Sequence, residues 1–231
     1  MTNNNIKITA IVCAYNEEKT IGNILDVLIN SSVLNEIIVI NDGSTDGTCS
    51  ILHKYRRHDH LKIIELPINM GKGYAMVEGI MNTNSGLLVF VDADLLNFNL
   101  KYIKQLIKPL LEGKADMVIG QPTEDFADFH LNPFKPLAGE RALFRQDILP
   151  LLDKMKDSRF GVETLINMHY KANNMKTIYV SLQGLQHPTK LQKYPLTLSI
   201  QEYGSVAKQI AQTVMINFTF VTTIIRNIFI R

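Results

Sequence analysis

The chain has 231 residues, of which 46% are hydrophobic and 20% charged, and its formal net charge is +2 at pH 7. This length allows one large α/β domain with an appended element, and the near-neutral charge gives no reason to expect a nucleic acid partner. The two cysteines, Cys13 and Cys49, lack the spacing of metal-binding motifs, which favours a reducing, cytoplasmic setting. No basic region followed by an apolar one opens the chain, so no secretory signal is expected.

The first predicted unit is a buried strand over Ile8–Ala14 followed by a helix. The strand breaks at Tyr15, and Glu17 and Glu18 come just before or within the first helical turn, where the helix dipole favours acids. The apolar face of the helix has the spacing i, i+3, i+4, i+7 and i+8. It is formed by Ile21, Ile24, Leu25, Leu28 and Ile29.

Two further strands end in loops that could meet a ligand. The strand over Glu36–Ile40 runs into a turn-rich segment, residues 41–48, in which Asp42 could accept hydrogen bonds from a ligand. The strand over Leu61–Leu66 leads to the sequence Asn-Met-Gly-Lys-Gly, where glycines let the backbone approach a ligand and Lys72 can reach an anion. The spacing of a P-loop is missing.

Residues 87–94, Leu-Leu-Val-Phe-Val-Asp-Ala-Asp, form the central motif. The unbroken apolar run is typical of a strand buried on both faces. Asp92 and Asp94 are expected on one side of its end, because side chains alternate along a strand. Carboxyl ends of strands line the ligand crevice in open α/β sheets, and two hard oxygen ligands there suit a divalent cation.

After this strand we expect an amphipathic helix and a strand over Met117–Gly120. Residues 1–120 therefore have the order βαβαβαβαβ, which predicts a mostly parallel sheet sandwiched by helices. Residues 121–138 are rich in proline, aspartate and phenylalanine, and we interpret them as a lid or acceptor-side loop.

Residues 139–145 are predicted to begin a helix. Arg141 and Arg145 would then share one helical face and could clamp a phosphate or carboxylate. The alternative is a solvated rim in which these arginines pair with Glu140 or Asp147.

Two more elements bring candidate residues. A helix is expected from Gly161, with Glu163 in its first turn; this acid either stabilises the helix dipole or faces the crevice. A late strand over Lys176–Leu182 leads to His187, which could complete a metal site with the two aspartates.

From Leu196 onward the chain is expected to form one or two helices. The apolar run over Val214–Ile225 is shorter than the roughly 20 residues that span a bilayer. With Arg226 and Arg231 nearby, the segment could lie on an anionic membrane, form a dimer interface or pack on the domain.

Taken together, these ordered motifs resemble the family 2 glycosyltransferases of GT-A fold: Ala-Tyr-Asn-Glu after the first strand, Asn-Asp-Gly-Ser-Thr-Asp-Gly-Thr after the second, Gly-Lys-Gly, and Asp-Ala-Asp. The later segments around Glu140 and Glu163, with the late histidine, look like glucosyl- and mannosyl-3-phosphoglycerate synthases, in which glutamine usually stands at the position of Glu140. The resemblance implies a GT-A domain over residues 1–195, with a nucleotide-binding half (1–120) and an acceptor-side half (121–195), followed by a C-terminal amphipathic helical segment over residues 196–231.

The resemblance also implies roles for individual residues. Ala14, Tyr15 and Glu17 would contact the nucleoside, and Asp42 would accept the imide N–H of uracil or the equivalent edge of guanine. Lys72 would contact base or phosphate. Asp92 would bind ribose and, with Asp94 and His187, hold Mn²⁺ or Mg²⁺.

The resemblance implies less specific roles for the residues on the acceptor side. Glu163 matches an acid that is a general base in inverting members and positions the acceptor in retaining relatives. Arg141 would grip an anionic acceptor, either a phosphoglycerate-like molecule or a polyprenyl phosphate.

The predicted enzyme is a cytoplasmic hexosyltransferase, at the inner face of the membrane if the acceptor is lipid-linked, that uses a UDP-sugar in preference to a GDP-sugar. A non-catalytic sugar-nucleotide binder or membrane scaffold is the alternative. A nucleotidyltransferase ranks lower, because the basic glycine-rich loop usual after its first strand is absent.

Overall fold

The computed structural model describes residues 6–123, 138–187 and 196–229, with side chains in the last range from residue 204. The strands are β1 (Ile8–Ala14), β2 (Glu36–Asn41), β3 (Leu61–Glu65), β4 (Leu87–Asp92), β5 (Met117–Thr123), β6 (Arg141–Phe144) and β7 (Thr177–Gln183). The helices are α1 (Ile21–Ile29), α2 (Thr48–Tyr55), α3 (Lys72–Met81), α4 (Leu100–Leu111), α5 (Arg145–Ile148), α6 (Leu152–Lys156), α7 (Val162–Ala172), α8 (Leu196–Ile216) and α9 (Phe218–Phe229). Single 3₁₀ turns, Leu149–Leu151 and Arg159–Gly161, precede α6 and α7.

The predicted order βαβαβαβαβ is confirmed for the first five strands. All seven strands form one sheet in the order β3-β2-β1-β4-β6-β5-β7, in which every pairing is parallel except those of β6. Strand β4 is therefore central, and its end meets the ends of β1 and β2 at one edge of the sheet. Most of the predicted lid lies in residues 124–137, outside the described residues.

Helices cover both faces of the sheet, which explains why β1 and β4 are apolar without interruption. Two hydrophobic clusters result, one on each face. Helix α4 illustrates the packing: five apolar side chains on one stripe are buried, and the side chain of Asn99 caps the helix by accepting the N–H of Lys101 at 3.0 Å. Each such buried side chain contributes about 1.5–3 kcal/mol. The stripe consists of Tyr102, Ile103, Leu106, Ile107 and Leu110.

The predicted helix at residues 139–145 is wrong. Residues Arg141–Phe144 form strand β6, which pairs antiparallel with β4 on one side and β5 on the other. Ala142 and Leu143 are fully buried, one toward each face of the sheet. Arg145 lies beyond the strand, at the start of α5, and its Nε donates to Ile80 O at 3.2 Å. The two arginines therefore share no helical face, because pairing within the sheet overrides local helical preference.

The C-terminal helices pack on the domain through one side. The Phe220 ring on α9 lies edge-on to His169 of α7 with 5.9 Å between centroids, and Asn227 Nδ2 donates to Ala172 O at 2.9 Å. The other side of α9 exposes Ile228 at 61% and Phe229 at 84%. Among the described residues, no helix is both long and apolar enough to cross a membrane.

Candidate functional site

Two loops at the carboxyl ends of β1 and β2 are hydrogen-bonded to each other. The N–H of Asn16 donates to Ser44 Oγ at 3.0 Å, and Asn16 Oδ1 accepts the N–H of Thr45 at 2.8 Å. Asn16 has a φ of 57°, a left-handed conformation that asparagine adopts more readily than most residues. Further along, Glu18 Oε2 accepts the N–H of Gly47 at 2.7 Å. These contacts hold the two loops in a fixed relation at the mouth of the crevice.

Residues with a predicted nucleoside role lie on these loops. Ala14 ends β1 and is buried, and its carbonyl accepts the N–H of Asp42 at 2.8 Å. Tyr15 is 44% exposed, so its ring is available to a ligand. Glu17 donates its N–H to Thr48 Oγ1 at 2.8 Å. The structure therefore brings Ala14, Tyr15, Glu17 and Asp42 together at one edge.

The carboxylate of Asp42 organises the glycine-lysine loop. Its Oδ1 accepts the N–H of Met70 at 2.7 Å and its Oδ2 accepts that of Gly71 at 2.9 Å. Gly71 has a φ of 94°, which glycine alone adopts without strain. Asp42 is only 3% exposed. These hydrogen bonds to the Asp42 carboxylate fix the backbone from which Lys72 projects. The predicted contact between Asp42 and a base stays a prediction.

Lys72 connects the two halves of the crevice. Its Nζ lies 2.7 Å from Asp92 Oδ1, at the end of β4, and 2.6 Å from Glu163 Oε1, at the start of α7. Although burial by itself lowers the pKa of Lys72, the two carboxylates raise it well above its ordinary value. Lys72 is therefore an ammonium ion that neutralises charge between two acids.

A single β-bridge brings His187 to the aspartates. Strand β4 ends at Asp92, so Asp94 lies in the turn that follows and not on the strand as predicted. Leu96 then exchanges backbone hydrogen bonds of 2.8 and 3.3 Å with Gln186. The next residue, His187, consequently lies with its Nδ1 3.3 Å from Asp94 Oδ1.

The other ring nitrogen of His187 faces Glu140, a residue that the sequence analysis did not assign to the site. His187 Nε2 lies 3.3 Å from Glu140 Oε1, and donor atoms of Asp92, Glu140 and His187 all lie within 4.8 Å of one another. Carboxylate oxygens and one imidazole form a ligand set suited to Mn²⁺, and the carboxylates alone suit Mg²⁺. With Asp94, these residues could hold a divalent cation.

Glu140 is a buried carboxylate without a well-aligned hydrogen bond. Its side chain is 1% exposed, and within the described chain neither oxygen has a partner in hydrogen-bond geometry, His187 being close but poorly aligned. Burial raises its pKa, and His187 opposes that shift. A buried carboxylate of this kind needs a compensating cation. Interpreting Ala-Leu-Phe as a buried strand beside β4 would have placed Glu140 near Asp92, because Arg141 pairs with Phe90.

The imidazole of His187 carries a proton at neutral pH in the absence of a cation. Burial alone lowers its pKa, but the charge of Glu140 and the hydrogen bond to Asp94 raise it to about 11. The imidazolium ring lies between Asp94 and Glu140 and balances negative charge that a bound metal ion would also balance.

Arg141 lies beneath this cluster and is fully buried. Its Nη2 donates to Ala138 O at 2.6 Å, and its Nη1 to Asn167 Oδ1 at 3.3 Å and, at the limit of hydrogen-bond length, to Glu163 O at 3.5 Å. The guanidinium therefore ties β6 to α7. Contact between Arg141 and an acceptor stays a prediction.

The sequence matches a known protein family over most of its length. Residues 9–179 match the family model described as glycosyl transferase family 2. The chain is 35% identical over 115 residues to glycosyltransferase GlyA of Streptococcus pneumoniae, an alignment covering 49% of this chain and 16% of that protein. It is 32% identical over 152 residues to a dolichyl-phosphate β-glucosyltransferase of Trichomonas vaginalis, covering 58% and 46%. The chain thus spans less than half the length of these curated relatives.

Solved structures match over most of the chain. Glucosyl-3-phosphoglycerate synthase from Mycobacterium tuberculosis, in complex with Mn²⁺, UDP and phosphoglyceric acid, has a TM-score of 0.73 at 21% identity, covering 93% of this chain and 79% of that one. The same enzyme with Mg²⁺ and UDP has a TM-score of 0.73 at 22% identity, covering 93% and 80%. The likeness confirms the predicted GT-A type of α/β fold.

Proposed function

The chain belongs to glycosyl transferase family 2, and from that premise we propose that it is a metal-dependent hexosyltransferase. Its donor is a nucleoside diphosphate sugar, UDP-linked in preference to GDP-linked, and its acceptor is anionic. The observation that carries this proposal is the convergence of Asp92, Asp94, Glu140 and His187 at the end of the central strand. Those four residues would hold Mn²⁺ or Mg²⁺, the ions bound by the structurally similar synthase.

Departure of the sugar adds one negative charge to a nucleoside diphosphate that already carries one on each phosphate. A cation at this position supplies charge neutralisation and a template for the diphosphate. Lys72 would add a second positive charge, since its ammonium lies beside Asp92 and extends from a loop whose glycines permit close approach. On the nucleoside side, Tyr15 would contact the base and Asp42 would accept its N–H.

Glu163 is our candidate for the group that meets the acceptor hydroxyl. Its carboxylate is 9% exposed and is bonded to Lys72, so it points toward the donor site and away from bulk solvent. Such a carboxylate can take a proton or orient the hydroxyl. We propose that Lys72 exchanges this ion pair for a phosphate oxygen when the donor binds, which frees Glu163 for the acceptor.

We propose that the acceptor carries a phosphate or carboxylate. The relatives support this class: one solved structure contains phosphoglyceric acid, and one relative is named for dolichyl phosphate. We assign Arg141 to the acceptor side; its contact with the backbone oxygen of Glu163 supports this assignment. A direct grip on the acceptor by Arg141 would require some of its present carbonyl partners to be exchanged.

The C-terminal segment, residues 196–231, is proposed as a separate unit from the catalytic domain, residues 1–195. We propose a cytoplasmic protein whose α9 makes peripheral contact with the inner face of a membrane; the exposed apolar side chains of α9 and Arg226 support such contact. A homodimer through the same side is the second candidate, because the apolar patch could equally be covered by its own copy.

One experiment tests the proposal as a whole. UDP and GDP are titrated with and without Mn²⁺ by calorimetry, and the purified chain is then incubated with UDP- and GDP-hexoses to detect released nucleotide. We expect Mn²⁺-dependent binding of UDP and slow donor hydrolysis. Binding that is independent of metal, without turnover of any donor, would favour the non-catalytic binder. The Asp59→Asn variant, which changes an exposed acid in the turn before β3, should behave like the unchanged chain in both measurements.

A further inference from the structure

A second cluster of metal-ligating side chains lies on the outer surface of the domain. Cys49 and His53 lie four residues apart on α2 and therefore on one helical face, and Glu65 ends the edge strand β3. Their donor atoms, the thiol sulfur, an imidazole nitrogen and a carboxylate oxygen, lie within 4.8 Å of one another. The sequence analysis considered only the spacing between the two cysteines. It therefore predicted no such site, in which only one of the ligands is a cysteine.

The three donors converge on one point. His53 Nε2 lies 3.4 Å from Cys49 Sγ and 2.8 Å from Glu65 Oε1. The same nitrogen thus faces both other groups, and one N–H cannot serve both. In tetrahedral zinc sites, with Zn–N near 2.0–2.1 Å and Zn–S near 2.3 Å, nitrogen and sulfur are about 3.5 Å apart. The Cys49–His53 distance already has this value, and Glu65 would move outward by about half an ångström.

We propose that Cys49, His53 and Glu65 bind a thiophilic divalent cation of the zinc class. Thiolate and imidazole are softer ligands than the carboxylates near β4, so the two sites select different metals. His53 is 46% exposed and Glu65 is 35% exposed, which leaves room for a water molecule as the fourth ligand. The site is independent of the proposed transferase activity.

A simple surface ion pair is the competing explanation. Arg56 Nη2 lies 2.6 Å from Glu65 Oε1, so the carboxylate already has a cationic partner. The Arg56 side chain is 54% exposed and can adopt another rotamer, and exposed ion pairs of this kind contribute little to the stability of the fold. The ion pair also leaves the approach of the thiol unexplained, whereas metal binding uses all three groups.

The proposed site would act on the fold around it. A cation here joins α2 to the edge strand β3. Cys49 directly follows Thr48, whose hydroxyl accepts the N–H of Glu17 in the first loop. Metal binding would therefore anchor the start of α2, next to the loops at the crevice.

Cobalt titration tests the proposal. Co²⁺ bound to a thiolate gives a near-ultraviolet charge-transfer band that carboxylate sites do not give, so the catalytic site does not interfere. We expect this band in the intact chain, its loss in Cys49→Ser, and its retention in Cys13→Ser. His53→Asn and Glu65→Gln should each weaken cobalt binding at least tenfold, and Zn²⁺ should displace the cobalt.

Alkylation supplies a second measurement that needs no spectroscopic band. Zn²⁺ should protect Cys49 from iodoacetamide, as read by peptide mass spectrometry, and the protection should disappear in His53→Asn. Circular dichroism confirms that each variant is folded. The proposal is overturned if saturating Co²⁺ gives no charge-transfer band in the intact chain, or if the band persists unchanged in Cys49→Ser.

Discussion

The two sides of the crevice are held by different kinds of interaction. On the loop side, residues 14–18, 41–48 and 69–72, backbone N–H groups donate mostly to side-chain oxygens, many of them near solvent. On the charged side, Glu140, Arg141 and Glu163 are buried, the side chain of His187 is 34% exposed, and these groups depend on one another. A single hydrogen bond on the loop side contributes about 0.5–1.5 kcal/mol, whereas removal of one buried charge leaves another uncompensated and costs about 3–5 kcal/mol.

This difference shows which substitutions separate chemistry from stability. Residues between the two sides, Asp92 and Asp94, are partly exposed at the strand end and are expected to matter for transfer more than for folding. The following substitutions test that division, beginning with the largest expected effect.

Asp94→Asn should lower transfer at least about 10²-fold, because it removes a charged metal ligand while it preserves the shape of the side chain. The unfolding midpoint should change little. The measurement is the initial rate of product formation at saturating Mn²⁺, with Asp59→Asn as the matched control. An Asp94→Asn variant with normal activity would remove Asp94 from the metal site.

Arg141→Ala should destabilise the fold by about 3–5 kcal/mol in urea denaturation, since it leaves buried carbonyls without a donor and removes a buried positive charge that interacts with Glu163, Asp92 and Glu140. Arg145→Ala is the control: its guanidinium donates to Ile80 O, and loss of that hydrogen bond should cost about 1 kcal/mol.

The Arg141→Ala variant also distinguishes a structural role of Arg141 from direct binding of the acceptor. At a temperature at which it is folded, a selective rise in the acceptor KM over the donor KM would support contact between Arg141 and the acceptor. Equal changes in both constants would indicate that Arg141 acts only through the backbone of Glu163.

Glu140→Gln should weaken the binding of Mn²⁺ about tenfold, because the site loses one negative charge but keeps an oxygen at the same place. Transfer at saturating Mn²⁺ should persist. The measurement is the Mn²⁺ dependence of donor hydrolysis. Asp59→Asn is the control, since it removes an exposed acid outside the site and should leave the Mn²⁺ dependence unchanged. Unchanged Mn²⁺ affinity in Glu140→Gln would exclude Glu140 as a ligand.

Most of the loop side could be predicted from the sequence. Apolar periodicity placed β1 to β4 and the helices between them, and the carboxyl ends of parallel strands meet by topology alone. A helix was expected after the Gly-Lys-Gly sequence, and α3 begins within that sequence, at Lys72. His187 was proposed as a metal ligand from its place after a late strand, and family resemblance implied the same role. The bridge between Leu96 and Gln186 is what brings it to the aspartates.

The charged side could not be predicted in the same way. Strand β6 has only four residues, Arg141–Phe144, too few to show a period, and its identity depends on pairing with strands far away in sequence. Glu140 shows no pattern of its own, because its importance arises from burial beside Asp92 and His187. Arg141 was expected on a helix, either gripping an anion or in a solvated rim, yet it is fully buried at a strand start.

Glu18→Ala tests the loop side and should have the smallest effect. Glu18 is exposed, and its loss removes one hydrogen bond to Gly47 at the start of α2, so we expect a cost of about 1 kcal/mol or less. Glu18→Gln, which keeps the acceptor oxygen, should cost less still, and the donor KM should rise only a few-fold because the neighbouring contacts of Asn16 remain. A cost near that of Arg141→Ala would mean that the two loops unfold as one unit, since only then would a single exposed contact control all the others.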